Sequence, residues 1–479
     1  MGGNSTGRRP RAIAAHRLER SLADWRGGDG STCGRLAESL RALIGDGRLP
    51  ADARLPADAR LPAERELAAA LAVSRTTVAA AYGLLRSTGH ARSLGGSGTY
   101  ATLPQPGPAR ERVPDAAVID LMTAALPAPE PWFSRALAEA AHDMASYAPT
   151  HGCFPAGLAD FRKTVADHHT RRGVPTDAGQ ILVTSGATGA FALLLRELVA
   201  PHDRVLVESP GHPNLIHAVE AAGARPVAVP LGDAGWDLAV WARALRETAP
   251  RLACVTADFQ QPTGLLMAEE SRRALVALAA ATGTTLLVDE TLAELSLTRP
   301  GPAPLPCAAF DQGGTVVTVG SAAKSLWAGL RVGWIRATPW LVRALVARRT
   351  GADLAPPVLE QLVAHRLLGD ADTFADVLVL QRERARVRRD VLVAALRREL
   401  PGWTFRVPDG GLALWAHAGG RSGHELAAVA QRHGVGLAPG NRFGPDAHLD
   451  GFLRLPYTQP PEIIEEAVRR IAPHGKGPQ

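Results

Sequence analysis

Short runs of apolar residues alternate with longer helical stretches over residues 118–475, and this alternation limits the possible folds more than any other feature of the sequence. The runs are rich in Val, Leu and Ile, whereas the stretches between them are rich in Ala and Leu. Such runs are typical of parallel strands buried on both faces of a sheet. The sequence therefore predicts an α/β domain with a mostly parallel sheet. The predicted strands are 181–183, 205–207, 252–255, 286–288 and 316–319.

The excess of positive over negative charge in this chain lies in its first quarter. Residues 1–110 contain 16 Arg and 9 Asp or Glu, a balance of +7, whereas the whole chain has a net charge of +6, so the other 369 residues carry −1. A bias towards Arg does not explain this uneven distribution. A basic module joined to a nearly neutral one indicates a polyanion partner for the first and a small ligand for the second.

Neither a membrane segment nor a metal site is predicted. No run of 18 or more apolar residues occurs, and the amino terminus lacks the apolar core of a signal peptide, so we expect a cytoplasmic protein with no membrane partner. The four cysteines are far apart and show no metal-ligand spacing, which argues against disulfides and structural zinc.

Residues 30–101 have the pattern of a winged helix-turn-helix domain. Apolar residues at helical spacing predict three helices. The first covers 34–45, the second begins near Pro62, and the third begins after Ser74, a favourable N-cap residue. The glycine-rich stretch 95–100 predicts a hairpin wing. Free N–H groups and short hydroxyls at the start of the last helix suit phosphates and base edges. A helical pair that merely packs together is the alternative. The predicted DNA-contacting residues are Arg65, Ser74, Arg75, Thr76, Thr77, Tyr82 and Arg92.

Two segments are predicted to lack regular structure. Three hexads, RLPADA, RLPADA and RLPAER, follow one another over residues 48–65, and their prolines prevent a continuous helix. Residues 102–117 are rich in Pro, Ala and Arg without periodicity, which predicts a semi-stiff linker between the two domains.

Lysine occurs at three positions only, and one of them indicates chemistry. We expect Lys163, on a polar helical face, and Lys476, in the terminal tail, to be solvated. Lys324 follows the apolar run 316–319 at a strand end, where an amine contributes nothing to packing. Burial there lowers the pKa of an amine and favours a Schiff base with a carbonyl compound.

Groups at other strand ends suit a phosphorylated pyridine. Ser321 and Arg331 supply a hydroxyl and a guanidinium for a phosphate, and the turn 184–188 supplies backbone donors. Asp289 ends a strand and suits a protonated pyridine nitrogen. Each group has a plainer reading, as a helix cap, a helix start or a surface charge. Together they predict pyridoxal 5'-phosphate as the cofactor.

Longer motifs resemble two known families. The order LPAERELAAALAVSRTTVAAAY followed by GSGTY resembles the winged helix-turn-helix of the GntR superfamily, which normally has one RLP-type hexad fewer. The set TSGATGA, ESPGHPN, DFQQPTG, VDETL, GSAAKSLWAGLRVGW and FLRLPYT resembles fold-type I aminotransferases over nearly all of 118–475. Their combination resembles the MocR subfamily of GntR regulators, with the YczR-type branch as a candidate subgroup.

The resemblance implies a role for each matching residue. Lys324 would form the Schiff base, Asp289 would bind the pyridine nitrogen, and Arg454 would bind a substrate-like carboxylate; a structural salt bridge is the alternative for Arg454. His212 stands where an aromatic residue usually stacks on the ring, and Gln261 stands where an asparagine usually bonds the phenolic oxygen. The phosphate would be bound by Ser321, Arg331 and the amides of Gly186, Ala187 and Thr188.

Several positions depart from the aminotransferase pattern. Besides His212 and Gln261, Thr291 and Leu292 follow Asp289 where a tyrosine is usual, and Ala323 replaces a common serine. These departures weaken the hydrogen bonds that tune the ring and leave the three anchors of the cofactor intact. The sequence thus favours cofactor binding over turnover.

Three functions follow from these observations. The leading one is a homodimeric transcription regulator that binds promoter DNA and senses pyridoxal 5'-phosphate or its adduct with an amine or amino acid, and we expect it not to act mainly as an enzyme. The second is an active aminotransferase with an accessory DNA-binding domain. In the third, the aminotransferase fold senses another metabolite.

Overall fold

The computed structural model describes most of the chain as two compact units, Met1–Asp115 and Ala116–Gln479. The described residues are 15–22, 25, 31–45, 61–87, 90–94, 98–101, 118–297, 303–444 and 446–475. The predicted wing tip at 95–97, the linker 102–117, Lys476 and the hexads up to residue 60 lie outside the described residues.

The first unit contains a helix-turn-helix and a β-hairpin. Its elements are α1 Ala15–Ser21, α2 Thr32–Gly45, α3 Glu64–Ala70, α4 Arg75–Ser87, β1 Ala91–Leu94 and β2 Gly98–Ala101. Leu36, Leu40, Leu67 and Val78 meet in one core, because their helical spacing places them on inward faces. The axes of α3 and α4 differ by 117°, a value typical of this motif. The predicted winged helix-turn-helix fold is confirmed, with α1 as an additional helix that was not predicted.

Two sheets form the framework of the second unit. Its strands are β3 Ile119–Leu121, β4 Ile181–Thr184, β5 Arg204–Ser209, β6 Arg225–Pro230, β7 Leu252–Val255, β8 Thr285–Asp289, β9 Val316–Ser321, β10 Gly333–Arg336, β11 Thr404–Phe405, β12 Ala413–His417, β13 Val435–Pro439 and β14 Phe452–Pro456. The larger sheet has the order β4-β10-β9-β8-β7-β5-β6, and β10 is its antiparallel strand. The smaller sheet has the order β11-β12-β14-β13-β3.

All five predicted strands are present in the larger sheet. Strands β4, β7 and β9 are buried along their whole length, as expected for strands covered by helices on both faces. Because β5, β7, β8 and β9 run parallel, their carboxyl ends lie at one edge of the sheet. Ligands of open α/β sheets bind at such an edge. The α/β fold predicted from the sequence is confirmed.

Helices cover both faces of the larger sheet and one side of the smaller one. They are α5 Trp132–Tyr147, α6 Ala159–Arg171, α7 Gly186–Leu198, α8 Pro213–Ala221, α9 Leu238–Thr248, α10 Glu269–Ala281, α11 Ala322–Ser325, α12 Pro339–Arg349, α13 Val358–Gly369, α14 Ala371–Glu399, α15 Gly423–Arg432 and α16 Pro461–Gly475. Within the described residues, no single helix is long and apolar enough to cross a bilayer, and only the bent pair α3 and α4 meets that criterion when counted together.

Candidate functional site

Lys324 and Asp289 lie close together at the carboxyl edge of the larger sheet. Asp289 is the last residue of β8, and Lys324 lies in the short helix that follows β9. Asp289 is 4% exposed, and its carboxylate accepts a hydrogen bond from the Thr291 amide at 2.9 Å. Burial raises the pKa of Asp289, while Lys324 lowers it. The two charges therefore interact across a common site.

The Lys324 amine is poised between its charged and neutral forms. Burial, together with the positive charge of Arg454, lowers its pKa to about 8, and Asp289 opposes this shift. An amine with such a pKa is a much better nucleophile near neutral pH than a solvated lysine. Its Nζ donates a hydrogen bond to the Ala124 carbonyl at 2.6 Å.

The turn into α7 forms a cradle of backbone donors. Gly186 has φ +76°, and a Cβ there would approach the Arg331 guanidinium to 3.1 Å. A Cβ on Gly333 would meet the Gly186 backbone at 2.6 Å, so glycine is required on both sides of this close contact. The side chain of the N-cap residue Ser185 accepts no hydrogen bond from the helix and instead donates to Asp353 at 3.1 Å. The first amides of α7 are thus left for an anion.

Arg331 is brought to this cradle by an unusual backbone conformation. Its φ is +50°, in the left-handed region that a non-glycine residue seldom adopts. The guanidinium donates to the Ser185 carbonyl at 3.4 Å and is exposed on its other side. Ser321 is also close, but its hydroxyl donates to the Val332 carbonyl at 3.0 Å and accepts from the Ala323 amide at 3.1 Å. Arg331 and the α7 amides are therefore the freer phosphate donors.

All three residues whose amides were predicted to bind the phosphate lie in α7. Gly186, Ala187 and Thr188 form its first turn, with Gly186 buried and Thr188 exposed. The N–H groups of a first helical turn have no partner within the helix, and the helix dipole favours negative charge there. This geometry suits the phosphate role proposed for all three amides.

His212 and Gln261 come from two other loops at the same edge. His212 is the N-cap residue of α8, and its buried Nδ1 has no hydrogen-bond partner among the described residues. Burial and the charges of Lys324 and Arg454 lower the pKa of His212 to about 3, so the ring is neutral. Gln261 is 7% exposed and borders a small cavity that Ala124 and Leu292 also line.

Arg454 reaches the site from the smaller sheet. It lies in β14 opposite Trp415 of β12, and its guanidinium lies 5.3 Å from the centre of the Phe443 ring. Nη2 donates to the Met122 carbonyl, whereas the buried Nε has no partner among the described residues. Burial and Arg442 lower the pKa of Arg454 to about 10, a value at which it is still charged. A half-buried guanidinium whose buried Nε is an unused donor among the described residues suits a carboxylate.

Glu208 is a buried acid near the site that sequence reasoning missed. It lies in β5 and accepts hydrogen bonds from Trp236 at 2.6 Å, Gln260 at 3.1 Å and the Thr256 amide at 3.2 Å. Burial raises its pKa to about 7, and Asp289 adds to this rise. Its position at a strand end within the motif ESPGHPN was the only signal in the sequence.

The residues at this edge fit pyridoxal 5'-phosphate. The donor set comprises a nucleophilic amine, a buried carboxylate for the pyridine nitrogen and the Gly186 cradle with Arg331 for the phosphate. The unused Nε of Arg454 and the unpaired Nδ1 of His212 lie beside the same amine. The orphaned donors and the cradle are what such a ligand requires.

The start of α4 forms the candidate DNA-binding surface of the first unit. Ser74, Arg75 and Thr76 are exposed, and the Ser74 hydroxyl caps the helix by accepting from the Thr77 amide at 3.1 Å. Arg75 pairs with Glu64 at 3.1 Å, which holds its guanidinium near the helix start. Short hydroxyls and a guanidinium at an exposed helix start suit phosphates and base edges.

Three further residues were predicted to contact DNA, and one of these predictions is wrong. Arg65 on α3 and Arg92 on β1 are exposed. Tyr82 is 1% exposed, and its hydroxyl donates to the Pro62 carbonyl at 2.9 Å, so it connects α4 to the start of α3 within the core. Periodicity placed Tyr82 on the apolar face, and that face is buried here.

Comparison with known proteins supports both halves of this description. Residues 118–471 match the model of the family "Aminotransferase class I and II", and residues 32–101 match "Bacterial regulatory proteins, gntR family". A 2-aminoadipate transaminase of Thermus thermophilus is 31% identical over 367 residues, which cover 74% of this chain and 89% of that protein. The probable rhizopine catabolism regulatory protein MocR of Rhizobium meliloti is 30% identical over 402 residues, covering 78% and 80%.

Solved structures support the fold of the second unit. The α-aminoadipate aminotransferase LysN of Thermus thermophilus, complexed with N-(5'-phosphopyridoxyl)-L-leucine, superposes with a TM-score of 0.68 at 28% identity, covering 74% of this chain and 92% of that one. Relatives named as regulators and relatives named as aminotransferases both match this chain. The chain therefore belongs to the aminotransferase class I and II family and joins this fold to a GntR-type DNA-binding domain, as MocR-type regulators do.

Proposed function

We propose that the protein is a DNA-binding transcription regulator whose aminotransferase-like domain binds pyridoxal 5'-phosphate and senses an amine or amino acid through it. The observation that carries the proposal is the desolvated Lys324 amine, with a pKa of about 8, between Asp289 and the Gly186 cradle. The complex of LysN with a phosphopyridoxyl amino acid supports it.

The residues divide the binding task between them. The α7 amides and Arg331 would hold the phosphate, and Asp289 would pair with the pyridine nitrogen. Lys324 would supply the covalent link, and His212, neutral because burial lowers its pKa to about 3, would contact the ring without adding charge. The cofactor, when bound, supplies an aldehyde for amines and an electron sink. Arg454 orients a carboxylate beside Lys324.

DNA binding follows from the GntR-type domain. We propose that the exposed start of α4 contacts promoter DNA through Ser74, Arg75 and Thr76, with Thr77, Arg65 and Arg92 nearby. A homodimer would present two such helices to paired half-sites. A protein that acts on chromosomal DNA works where that DNA is, so we keep the cytoplasm as its expected location.

Aminotransferase activity is the second candidate function. It is favoured by the simultaneous presence of Lys324, Asp289 and Arg454, the groups that a transaminase needs for cofactor and substrate. His212 and Gln261 argue against efficient turnover, because both replace the usual ring contacts.

The visible absorption spectrum tests the proposed cofactor directly. Protein mixed with pyridoxal 5'-phosphate should develop an absorption band in the visible, and Lys324→Ala should lack it completely. Lys163→Ala is the matched control, since Lys163 is exposed and pairs with Asp167. A band of equal strength in Lys324→Ala would overturn the assignment.

A footprint on intergenic DNA upstream of the gene tests the regulator. The wild type should protect specific half-sites, and cofactor with an amine or amino acid should change the affinity for them. Absence of any specific protection would leave the transaminase as the better proposal.

A further inference from the structure

One extended segment passes between the two ligand-anchoring residues of the site. We call Asp120–Ala128 the strap. The Ala124 carbonyl accepts a hydrogen bond from Lys324 Nζ at 2.6 Å, and the Met122 carbonyl accepts one from Arg454 Nη2. These contacts join residues 200 and 332 positions apart in the chain. The strap thus occupies the donors that a cofactor and a carboxylate would use.

A ligand competes with the strap for both donors. The covalent link that Lys324 forms with an aldehyde consumes the amine that bonds Ala124. A carboxylate at Arg454 meets Nη2 and the unpartnered Nε together, and a charge-assisted pair of bonds is stronger than one bond to a neutral carbonyl. An aldehyde alone therefore competes with the strap at Ala124. In an adduct with an amino acid, the aldehyde carbon is bonded to the amino acid nitrogen and the Lys324 amine is free again, so the adduct competes through its carboxylate at Met122.

The strap is also fastened to the strand that carries Arg454. The Thr458 hydroxyl donates to the Thr123 carbonyl at 2.9 Å, and the Gln459 side chain donates to the Asp120 carbonyl at 3.1 Å. Thr458 and Gln459 follow β14 after one intervening residue, Tyr457. Asp120 holds the strap in its turn, since its carboxylate accepts from the amides of Met122 and Thr123.

The amino-terminal end of the strap leads along the chain towards the DNA-binding domain. Its first two residues belong to β3, an edge strand of three residues that pairs with β13 only. A ladder this short offers little resistance to displacement. Residues 102–117 connect the strap to the GntR-type domain. Only residue 118 separates them from β3. No other covalent route joins the two units.

We propose that the strap is the element that responds to an occupied site and transmits the change to the DNA-binding domain: the carboxylate of a bound cofactor–amino acid adduct displaces Met122, and β3 then pulls on the linker. This inference rests on the proposed function and specifies how the same site is regulated. The contacts of Thr458 and Gln459 set how far the displacement is transmitted.

Hydrogen exchange of the full-length protein tests the displacement. The probe is N-(5'-phosphopyridoxyl)-L-alanine, which carries the phosphate, the ring and an α-carboxylate in one stable molecule. Saturating probe should speed exchange of the Met122 and Thr123 amides about fivefold to tenfold, the factor expected when roughly one net hydrogen bond is lost. Unchanged or slower exchange in protein that demonstrably binds the probe would overturn the inference.

A double variant tests transmission to DNA. Thr458→Val with Gln459→Met removes both side-chain bonds to the strap and touches neither Lys324 nor Arg454. We expect faster strap exchange without probe and an affinity for the intergenic DNA that no longer changes when probe is added. Thr248→Val is the matched control, because Thr248 donates to the Ala244 carbonyl within α9, at a distance from the strap in sequence. The control should respond to the probe as the wild type does.

The outcomes separate the two proposals. A wild type without a visible band or probe binding contradicts the proposed function. A wild type whose DNA affinity responds to the probe, beside a double variant with a loosened strap and the same response, contradicts only the strap. A double variant with unaltered strap exchange also contradicts it, since the two bonds would then not hold the segment.

Discussion

Two sides of the site differ in whether they match the aminotransferase pattern. The anchor side, Gly186, Lys324 and Arg331, depends on backbone geometry: a glycine at φ +76°, an arginine at φ +50° and an amine at a strand end. The ring side, His212 and Gln261, depends on side chains that loops present. The anchor side matches the family pattern, and the ring side does not. We expect the backbone constraints to preserve cofactor binding and the side-chain exchanges to alter the reactivity of the bound cofactor.

The largest effect we expect concerns Glu208, which supports the ring side through Gln260. Burial raises its pKa from 4.5 to about 7. The folded chain therefore holds this proton more tightly than the unfolded chain. The resulting stability is complete below about pH 4.5 and is lost as the pH rises to about 7, in total about 3 kcal/mol. Glu208→Gln should remove this decline.

Denaturant unfolding at about pH 5 and about pH 8 measures the change. The difference in free energy of unfolding between the two pH values should be smaller in Glu208→Gln than in the wild type. Glu247→Gln is the control, because Glu247 is exposed on α9. Equal differences in all three proteins would contradict a shifted Glu208.

The second prediction breaks the anchor side. Gly186→Ala forces a Cβ into the left-handed region and towards the Arg331 guanidinium at 3.1 Å. Strain of about 2 kcal/mol should weaken binding of pyridoxal 5'-phosphate roughly 30-fold. A titration of the visible band measures this loss. Gly179→Ala is the matched control, since a Cβ there meets nothing within 4 Å. Equal affinities of the two variants would show that the cradle does not bind phosphate.

The third prediction concerns the rate at which Lys324 captures the cofactor. Only the neutral amine attacks an aldehyde, so the initial rate should rise about tenfold per pH unit and level off near pH 8, where the pKa lies. The positive charge of Arg454 contributes to this low value, so Arg454→Met should shift the midpoint upwards. Stopped-flow absorbance gives the profile, with Lys163→Arg as control. A midpoint near 10.5, the ordinary value, would contradict desolvation of the amine.

The sequence predicted the strands and the anchor side of the site better than it predicted the strap. Apolar runs located the strands, and Lys324 and Asp289 follow from strand ends, because the carboxyl ends of parallel strands share an edge. The strap was not predictable: it acts through backbone carbonyls, which every residue possesses, and its partners lie 200 or more positions away. Tyr82 failed for a different reason, since helical periodicity identifies an apolar face without saying whether DNA or the core covers it.

The smallest effect should come from restoring the ring side. Gln261 borders the cavity next to Ala124 and Leu292, one methylene longer than the asparagine that the family uses. Gln261→Asn should return one hydrogen bond to the ring oxygen, worth about 1 kcal/mol, and so raise the rate of half-transamination about fivefold. The decay of the visible band with an amino acid panel measures this rate. Gln431→Asn, exposed on α15, is the control. An unchanged rate would mean that Gln261 alone does not limit turnover, and the missing tyrosine near Leu292 would then be the departure that separates this site from a working transaminase.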